Sequence, residues 1–355
     1  MKKTIIISAP KFYGIDSDIK ESFEDVGFRT FLISPRPLAI LERVANKIGN
    51  ILPILKPVFN PIFKFYLVQE NRELVSIASK EEPDLLFIIK GDHILPDTLK
   101  DMKKVLSCPV VSYVWDTPFY ADDNKQNKYR KYNLKNGIPW YDLIFVFDTA
   151  YIDEIRRHGA KEVKYLPLAT NPNRYKEISL TEQDRRDYGY DVCFVGWPFE
   201  NRAEMLEGLR GYNLGVFGDS WMEYFISREQ NVPSYYRGRA SGEVVNKIYL
   251  SSKIVLNIHH PHSREGLNTR TFDIPACGGF EMVDYKKDIE KHFEIDKEIV
   301  TFSNIDELKS KISFYLKNED LRIAISERGK QRVLNEHTWA HRAINVKSAL
   351  EGQMG

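Results

Sequence analysis

Short apolar runs rich in β-branched residues recur along the whole chain, and they restrict its fold more than any other feature. In the first half they are Thr4–Ser8, Phe28–Ile33, Asp84–Lys90, Val110–Trp115, Leu143–Phe147 and Val163–Leu166. After a polar stretch, 167–188, the pattern resumes at Val192–Gly196, Leu214–Phe217, Ile254–Ile258 and Phe280–Val283. Runs of this length and composition, bounded by Gly, Pro and polar residues, are expected as buried parallel strands. Helical sequence separates several of them, at 16–26 (stopped by Gly27), 203–209 and 305–316, and a last helix is expected after His337, to about Leu350. Strand and helix in alternation imply an α/β chain with two doubly wound sheets.

A length of 355 residues fits two ordinary domains. The expected boundaries are an N-terminal Rossmann-like domain over 1–170, a C-terminal one over 189–335, and a helix over 336–355 crossing back to the first. Residues 167–188 are read as the linker. Two such domains form a cleft, with ligands at the carboxyl ends of the strands. The net charge of +1 gives no general attraction to nucleic acid, and no basic stripe interleaved with aromatics supplies a local one. Cys108, Cys193 and Cys277 lie far apart in apolar or small-residue contexts, which argues against a disulfide framework or zinc site and fits a reducing cytoplasm. The opening MKKTIIISAPK reads as a core strand, because its apolar run stops at Ile7. Residues 36–68 combine Arg36, Arg43, Lys47, Lys56 and Lys64 with apolar residues and are interrupted by Pro53, Pro57 and Pro61. One reading is a flap touching the inner membrane face or a lipid-linked acceptor; the other is a helical insertion packed on its own domain, with the prolines spoiling any long amphipathic helix.

The turns after the strands disfavour several ligand classes. The first turn, Ser8 to Gly14, lacks the G-x-G-x-x-G glycines of dinucleotide sites, and no G-x-x-x-x-G-K-[ST] occurs. His259, His260 and His262 make a metal site only if they share a face; adjacent histidines on a strand do not, so no metal is expected. Asp16-Ser17-Asp18 is read as a helix cap. The second half is richer. Gly196 permits a close turn after VCFVG, and the helix beyond it offers free N–H groups to an anion, with Arg202 as a phosphate clamp. After KIVLNI comes a dense polar segment, His262 to Phe280, carrying Glu265 and Asp273. With Glu265 on a loop and Asp273 in the next helix, the two carboxylates would face a ligand at different depths, and Gly278-Gly279 would end that helix.

The words N-x-R-x-F-[ED]-x-x-A-C-G-G (Asn268 to Gly279), Asp306-Glu307-Leu308, Tyr315-Leu316 and His337-Thr338-Trp339 with Arg342 resemble the C-terminal domain of GT-B glycosyltransferases of the E-x7-E, or group 1, type. More narrowly they resemble the CgeB, spore-maturation-like branch. Val114-Trp115-Asp116-Thr117-Pro118, Tyr141-Asp142 and Tyr165 to Ala169 are similar to segments of that branch's N-terminal half. The resemblance implies a GT-B fold and transfer of a sugar from a nucleotide diphosphate to an acceptor hydroxyl, mostly with retention. It places Glu265 on donor-sugar hydroxyls, Asp273 on the ribose, and Arg202 on the diphosphate. Asp273 stands where the family has Glu, and Trp197 where it usually has a second arginine, which leaves Arg270 as candidate for the second cation. Arg237-Gly238-Arg239 resembles the loop near the nucleobase.

The sites expected from these readings are Glu265 and Asp116 for catalysis, and Gly196, Arg202, Arg239, Asn268, Arg270 and Asp273 for the donor. His93 and Asp92 are alternatives to Asp116 as a base, if one is needed. No cofactor is expected beyond the donor, UDP- or GDP-linked; the acceptor is a glycan, lipid-linked or protein hydroxyl. Two other readings stay open: a GT-B-shaped nucleotide-sugar epimerase, and a non-catalytic spore-coat-like protein.

Overall fold

A computed structural model describes residues 2–11, 14–34, 56–115, 119 and 127–351, with side chains from 64 and 132 onward in the helices that begin at 56 and 127. The chain divides into two compact units, Met1–Leu166 with Ala343–Gly355, and Pro167–Arg342. Each is built on one six-stranded, all-parallel sheet. The first contains β1 (Thr4–Ser8), β2 (Arg29–Ile33), β3 (Leu85–Ile89), β4 (Val110–Val114), β5 (Leu143–Val146) and β6 (Val163–Tyr165), in the order β2-β1-β3-β4-β5-β6. The second contains β7 (Val192–Val195), β8 (Leu214–Phe217), β9 (Tyr236–Gly238), β10 (Ile254–Asn257), β11 (Glu281–Asp284) and β12 (Val300–Phe302), in the order β12-β11-β10-β7-β8-β9.

The continuous apolar runs are explained by burial on both sheet faces. Ile5, Ile6 and Ile7 are sealed from solvent, as are Val192, Cys193 and Phe194. Strand order fixes where loops of different origin meet. In the first unit the chain reverses direction across the sheet between β1 and β3; in the second it does so between β7 and β10, paired with Val192 opposite Ile254. Such switch points leave a crevice at the carboxyl ends of the two strands.

Three local expectations are corrected. Residues 167–188 are not merely a linker, since a helix occupies Glu182–Tyr188. Its signal is a capping box in which Thr181 Oγ1 accepts from the Asp184 amide at 3.1 Å and Asp184 Oδ2 accepts from the Thr181 amide at 3.0 Å. The prolines do not prevent a long helix: Lys56–Glu81 runs 26 residues. Pro57 is its second residue, where a helix start leaves the N–H group without a partner anyway, and Pro61 lies one turn further in. The remainder of the basic segment, 36–55, lies outside the described residues. Asp16 and Asp18 do not cap their helix. Gly14 is the N-cap, in a left-handed conformation, and the two carboxylates sit inside the first turn, where the helix dipole favours them. Two short strands, β9 and β12, and the helix Glu319–Glu336 complete the second unit without having been legible in the sequence.

Candidate active site

At the switch point of the second unit, two arginines converge on one aromatic ring. The helix after β7 spans Glu200–Glu207, so it begins earlier than the expected 203–209, and Arg202 lies within its first turn. That position turns the side chain inward, and only 3% of it is exposed. Arg202 Nε donates to the Ile258 carbonyl at 2.9 Å and its Nη1 to the Trp197 carbonyl at 2.9 Å. The guanidinium therefore ties the loop after β7 to the loop after β10. It lies over the Phe199 ring at 4.8 Å and near the Phe194 ring at 5.5 Å. Burial, and then the charge of Arg270, push the Arg202 guanidinium below its ordinary pKa, with Asp284 opposing. Arginine nonetheless stays a cation at neutral pH.

Arg270 opens the helix Arg270–Cys277 and approaches Phe194 from the other arm of the site, 5.7 Å from the ring centroid. Its Nη1 donates to the Val195 carbonyl at 3.1 Å and its Nε to Asn257 Oδ1 at 3.2 Å. The seat exists because residue 196 has no side chain. A Cβ on Gly196 would lie 2.5 Å from Arg270 Nη1 and 2.9 Å from Phe194 Cζ. Gly196 thus works by close approach and not through a left-handed φ.

Glu265 lies on the loop and Asp273 in the helix, at different depths. Glu265 is half-buried, and its Oε2 accepts from the Lys287 amide at 3.0 Å. Asp273 is buried in the first turn of its helix. Gly278 ends that helix with φ 90°. Asn268 forms a reciprocal amide pair with Asn257, Oδ1 accepting at 3.0 Å and Nδ2 donating at 2.8 Å. Arg239 is elsewhere: it comes directly after the edge strand β9 and is paired with Asp219 at 2.9 Å. Residues 236–238 are a strand and not the loop expected there; Arg237 lies over the Tyr190 ring at 5.3 Å. Trp197 is a large aromatic left 47% exposed beside the arginines.

Asn257, Glu281 and Asp284 of this network were missed in the sequence, and His259 was weighed there only as a metal ligand. Asn257 ends β10 fully buried, and besides Asn268 its Nδ2 reaches Thr271 Oγ1 at 3.1 Å and Glu281 Oε1 at 2.8 Å. Glu281 opens β11, also buried; burial pushes its carboxyl well above the usual carboxylate range, against the Asn257 hydrogen bond and the Arg270 charge. His259 and Asp284 form the other pair. The His259 amide and Nδ1 both lie 2.7 Å from Asp284 Oδ1. Burial works against the Asp284 carboxylate, but His259 and Lys286 hold it below its ordinary pKa. The available signal was a polar residue inside a short apolar strand, at Asn257 in KIVLN and Glu281 in FEMVD. The histidines also correct the geometry assumed for them, since β10 ends at Asn257 and strand alternation does not apply at 259–262. His260 and His262 stack at 4.5 Å, and His260 meets Phe199 at 4.1 Å. Among the described residues no His, Cys, Asp and Glu cluster could hold a metal ion.

The switch point of the first unit brings Ser8, at the end of β1, to His93, beyond β3, with Oγ and Nε2 2.9 Å apart. His93 Nδ1 stands 3.4 Å from Asp92 Oδ1. Asp116 lies outside the described residues.

Proteins of related sequence and fold are known. Residues 201–348 match a family model described as glycosyl transferase-like. The spore protein CgeB of Bacillus subtilis (strain 168) is 23% identical over 274 residues, covering 72% of this chain and 80% of that one. Sucrose-phosphate synthase of Thermosynechococcus elongatus superposes with a TM-score of 0.70 at 12% identity, over 99% of both chains. Anabaena HepE, solved with UDP and glucose, gives 0.67 at 9% identity, over 99% of this chain and 100% of the other. These likenesses establish the GT-B architecture of two Rossmann-like domains.

Proposed function

We propose that this chain, a GT-B glycosyltransferase of the group 1 type related to CgeB, takes its sugar from a UDP- or GDP-linked donor and binds that donor at the β7–β10 switch point. The carrying observation is the pair Arg202 and Arg270, two guanidiniums brought to one ring at the carboxyl ends of parallel strands. Two buried or half-buried cations repel one another until an anion lies beside them, and a diphosphate has the charge to do this. HepE, of the same fold, binds UDP-glucose, which supports the donor class.

In the reaction the bond from the anomeric carbon to the diphosphate oxygen breaks and a bond to the acceptor oxygen forms. The acceptor's proton leaves with the departing phosphate in the retaining course proposed here, so no enzymic base is required. Arg270, the less buried of the two, meets the phosphate, and Arg202 adds charge from beneath while fixing both loops. Preorganised cations of this kind stabilise the negative charge that grows on the leaving group. Glu265, anchored by the Lys287 amide, accepts from donor-sugar hydroxyls, and Asp273 from the ribose. Asn268 holds the start of the helix to β10. Glycan or glycoconjugate synthesis is the proposed setting. Among the described residues no helix is long and apolar enough to cross a membrane; contact with a membrane or lipid-linked acceptor through 36–68 stays part of the proposal.

The test is thermal: UDP, GDP, ADP and their sugars are added to the full chain, and unfolding is followed. A stabilisation that Arg202→Ala or Glu265→Ala weakens is expected, and no shift with any nucleotide would refute the donor site. Slow hydrolysis across a panel of nucleotide sugars then identifies the donor without knowledge of the acceptor.

A further inference from the structure

Glu281 is out of place by every rule for charged side chains. It opens a core strand, is 2% exposed, and lies on the second strand in from the sheet edge, between β12 and β10. One carboxyl oxygen, Oε1, accepts from Asn257 Nδ2 at 2.8 Å; the other, Oε2, is buried with no hydrogen-bond partner. No cation of the described residues makes an ion pair with it. An ionised carboxylate held by one hydrogen bond in such surroundings costs several kcal/mol, whereas the neutral acid avoids most of that.

The orientation of Asn257 is set by its other neighbours. Arg270 Nε can only donate, so the atom 3.2 Å from it must be the amide oxygen of Asn257. The amide nitrogen then faces Glu281, and Glu281 Oε1 must accept. The proton of the neutral acid therefore belongs on Oε2. An apolar position at 281 would remove one of three acceptors from the Asn257 amide nitrogen, leaving Asn268 Oδ1 and Thr271 Oγ1, and so would loosen the amide whose oxygen meets the guanidinium.

We infer that Glu281 is a protonated positioning residue, which locks the Asn257 amide so that its oxygen holds the Arg270 guanidinium in place for the donor diphosphate. The inference rests on the donor reading above for its consequence, but not for its physical content. It gives the start of β11 a part in a site whose other β11 contact, Asp284 with His259, lies at the strand's far end. It also explains why a carboxylic acid stands where an apolar residue would pack: glutamine is the other side chain that offers the same acceptor at the same reach, without a charge.

Two measurements test it on the full chain. Infrared spectra at neutral pH should show a protonated-carboxyl C=O band in the native protein that Glu281→Gln lacks; its absence from the native protein overturns the proposal whatever nucleotide binds. Calorimetric titration with UDP and with GDP should give Glu281→Gln an affinity within about threefold of native, and Glu281→Ala and Glu281→Leu a loss of about tenfold or more, the scale of one lost hydrogen bond in a polar network. A Gln variant that falls as far as the Ala variant would mean that the charge matters, and would overturn the proposal. Failure of the native chain to bind either nucleotide refutes the donor reading and leaves the infrared result to decide this one.

Discussion

Gly196→Ala offers a sharp examination of the site, because the structure separates its effect from the ordinary effect of that substitution. Replacing glycine by alanine at a compatible backbone position stabilises by about 0.4–1 kcal/mol through the unfolded state, and Gly196 has no left-handed φ to forbid it. The added methyl would instead meet Arg270 Nη1 at 2.5 Å and the Phe194 ring at 2.9 Å. The flexible guanidinium is the part that can move. It would leave the Val195 carbonyl and its place beside Arg202. A hydrogen bond to a charged partner is worth about 1.5–3 kcal/mol, which is about 10- to 150-fold in Kd. The assay is calorimetric titration of native, Gly196→Ala, Arg270→Ala and the double variant with whichever of UDP or GDP binds the native chain. Since the methyl acts through Arg270, the double variant should bind no more weakly than Arg270→Ala alone. Losses that add, or a Gly196→Ala affinity within twofold of native, would refute the account of the arginine seat.

Further outcomes are expected elsewhere in the second unit. Arg342 is buried and donates to the Pro167 and Leu168 carbonyls at 2.9 and 3.1 Å and to the Glu336 carbonyl at 3.0 Å; Arg342→Ala leaves these acceptors stranded and should cost about 3 kcal/mol, seen as a fall of about 6–12 °C in Tm. His337 accepts from Arg342 Nη2 on Nδ1 at 3.0 Å, which makes Nε2 its protonated nitrogen, 3.3 Å from the His292 carbonyl. Burial, and then the Arg342 charge, push His337 and His292 down to about 3, so between about pH 6.5 and 3 the unfolded chain binds protons that the folded one does not. Stability carried by these histidines is present above that window and lost as pH falls through it; His337→Gln should flatten the acid limb of a Tm-against-pH curve, and an unchanged limb would contradict the neutral assignment. Gly218→Ala should be worse than Gly196→Ala for folding, since its φ is 144° and its Cβ would fall 2.1 Å from the Gly196 carbonyl; circular dichroism during thermal unfolding measures the difference.

The buried strands were the legible part of this fold, because burial on both sheet faces demands unbroken apolar runs, and such runs survive reading one letter at a time. Thr4–Ser8 and Leu214–Phe217 coincide with their expected limits for that reason. The three-residue strand Tyr236–Gly238 lies at a sheet edge and is only partly covered, so it carries no such signature. The helix Glu319–Glu336 covers its unit with few apolar residues, and Gly329 is there to admit the Glu298 carbonyl, which would lie 2.4 Å from a Cβ. At the candidate site, Arg202 was proposed from its place at a helix start after Gly196, Glu265 and Asp273 from a family motif, and Arg270 as the second cation that Trp197 does not supply. That Arg202 would spend donors on backbone carbonyls was not legible, since it depends on where the loop after β10 passes. Nor could Asn257 and Glu281 be paired from sequence: their contact needs β10 and β11 side by side, which only the topology supplies.

The strand order that creates the β7–β10 crevice also dictates when the crevice can exist. Val192 and Ile254 pair directly although β8 and β9, on the far side of β7, lie between them in the chain. Contacts between residues so distant in sequence form slowly, because the intervening loop must be closed before any pairing rewards it. Arg202 binds the Ile258 carbonyl and Arg270 the Val195 carbonyl, so neither guanidinium is seated until that pairing is complete. A half-folded second unit, even one with β7 to β9 in register, holds neither arginine in place. Recovery of nucleotide binding during refolding would therefore lag behind recovery of helical signal, and would time the closure of β10 onto β7.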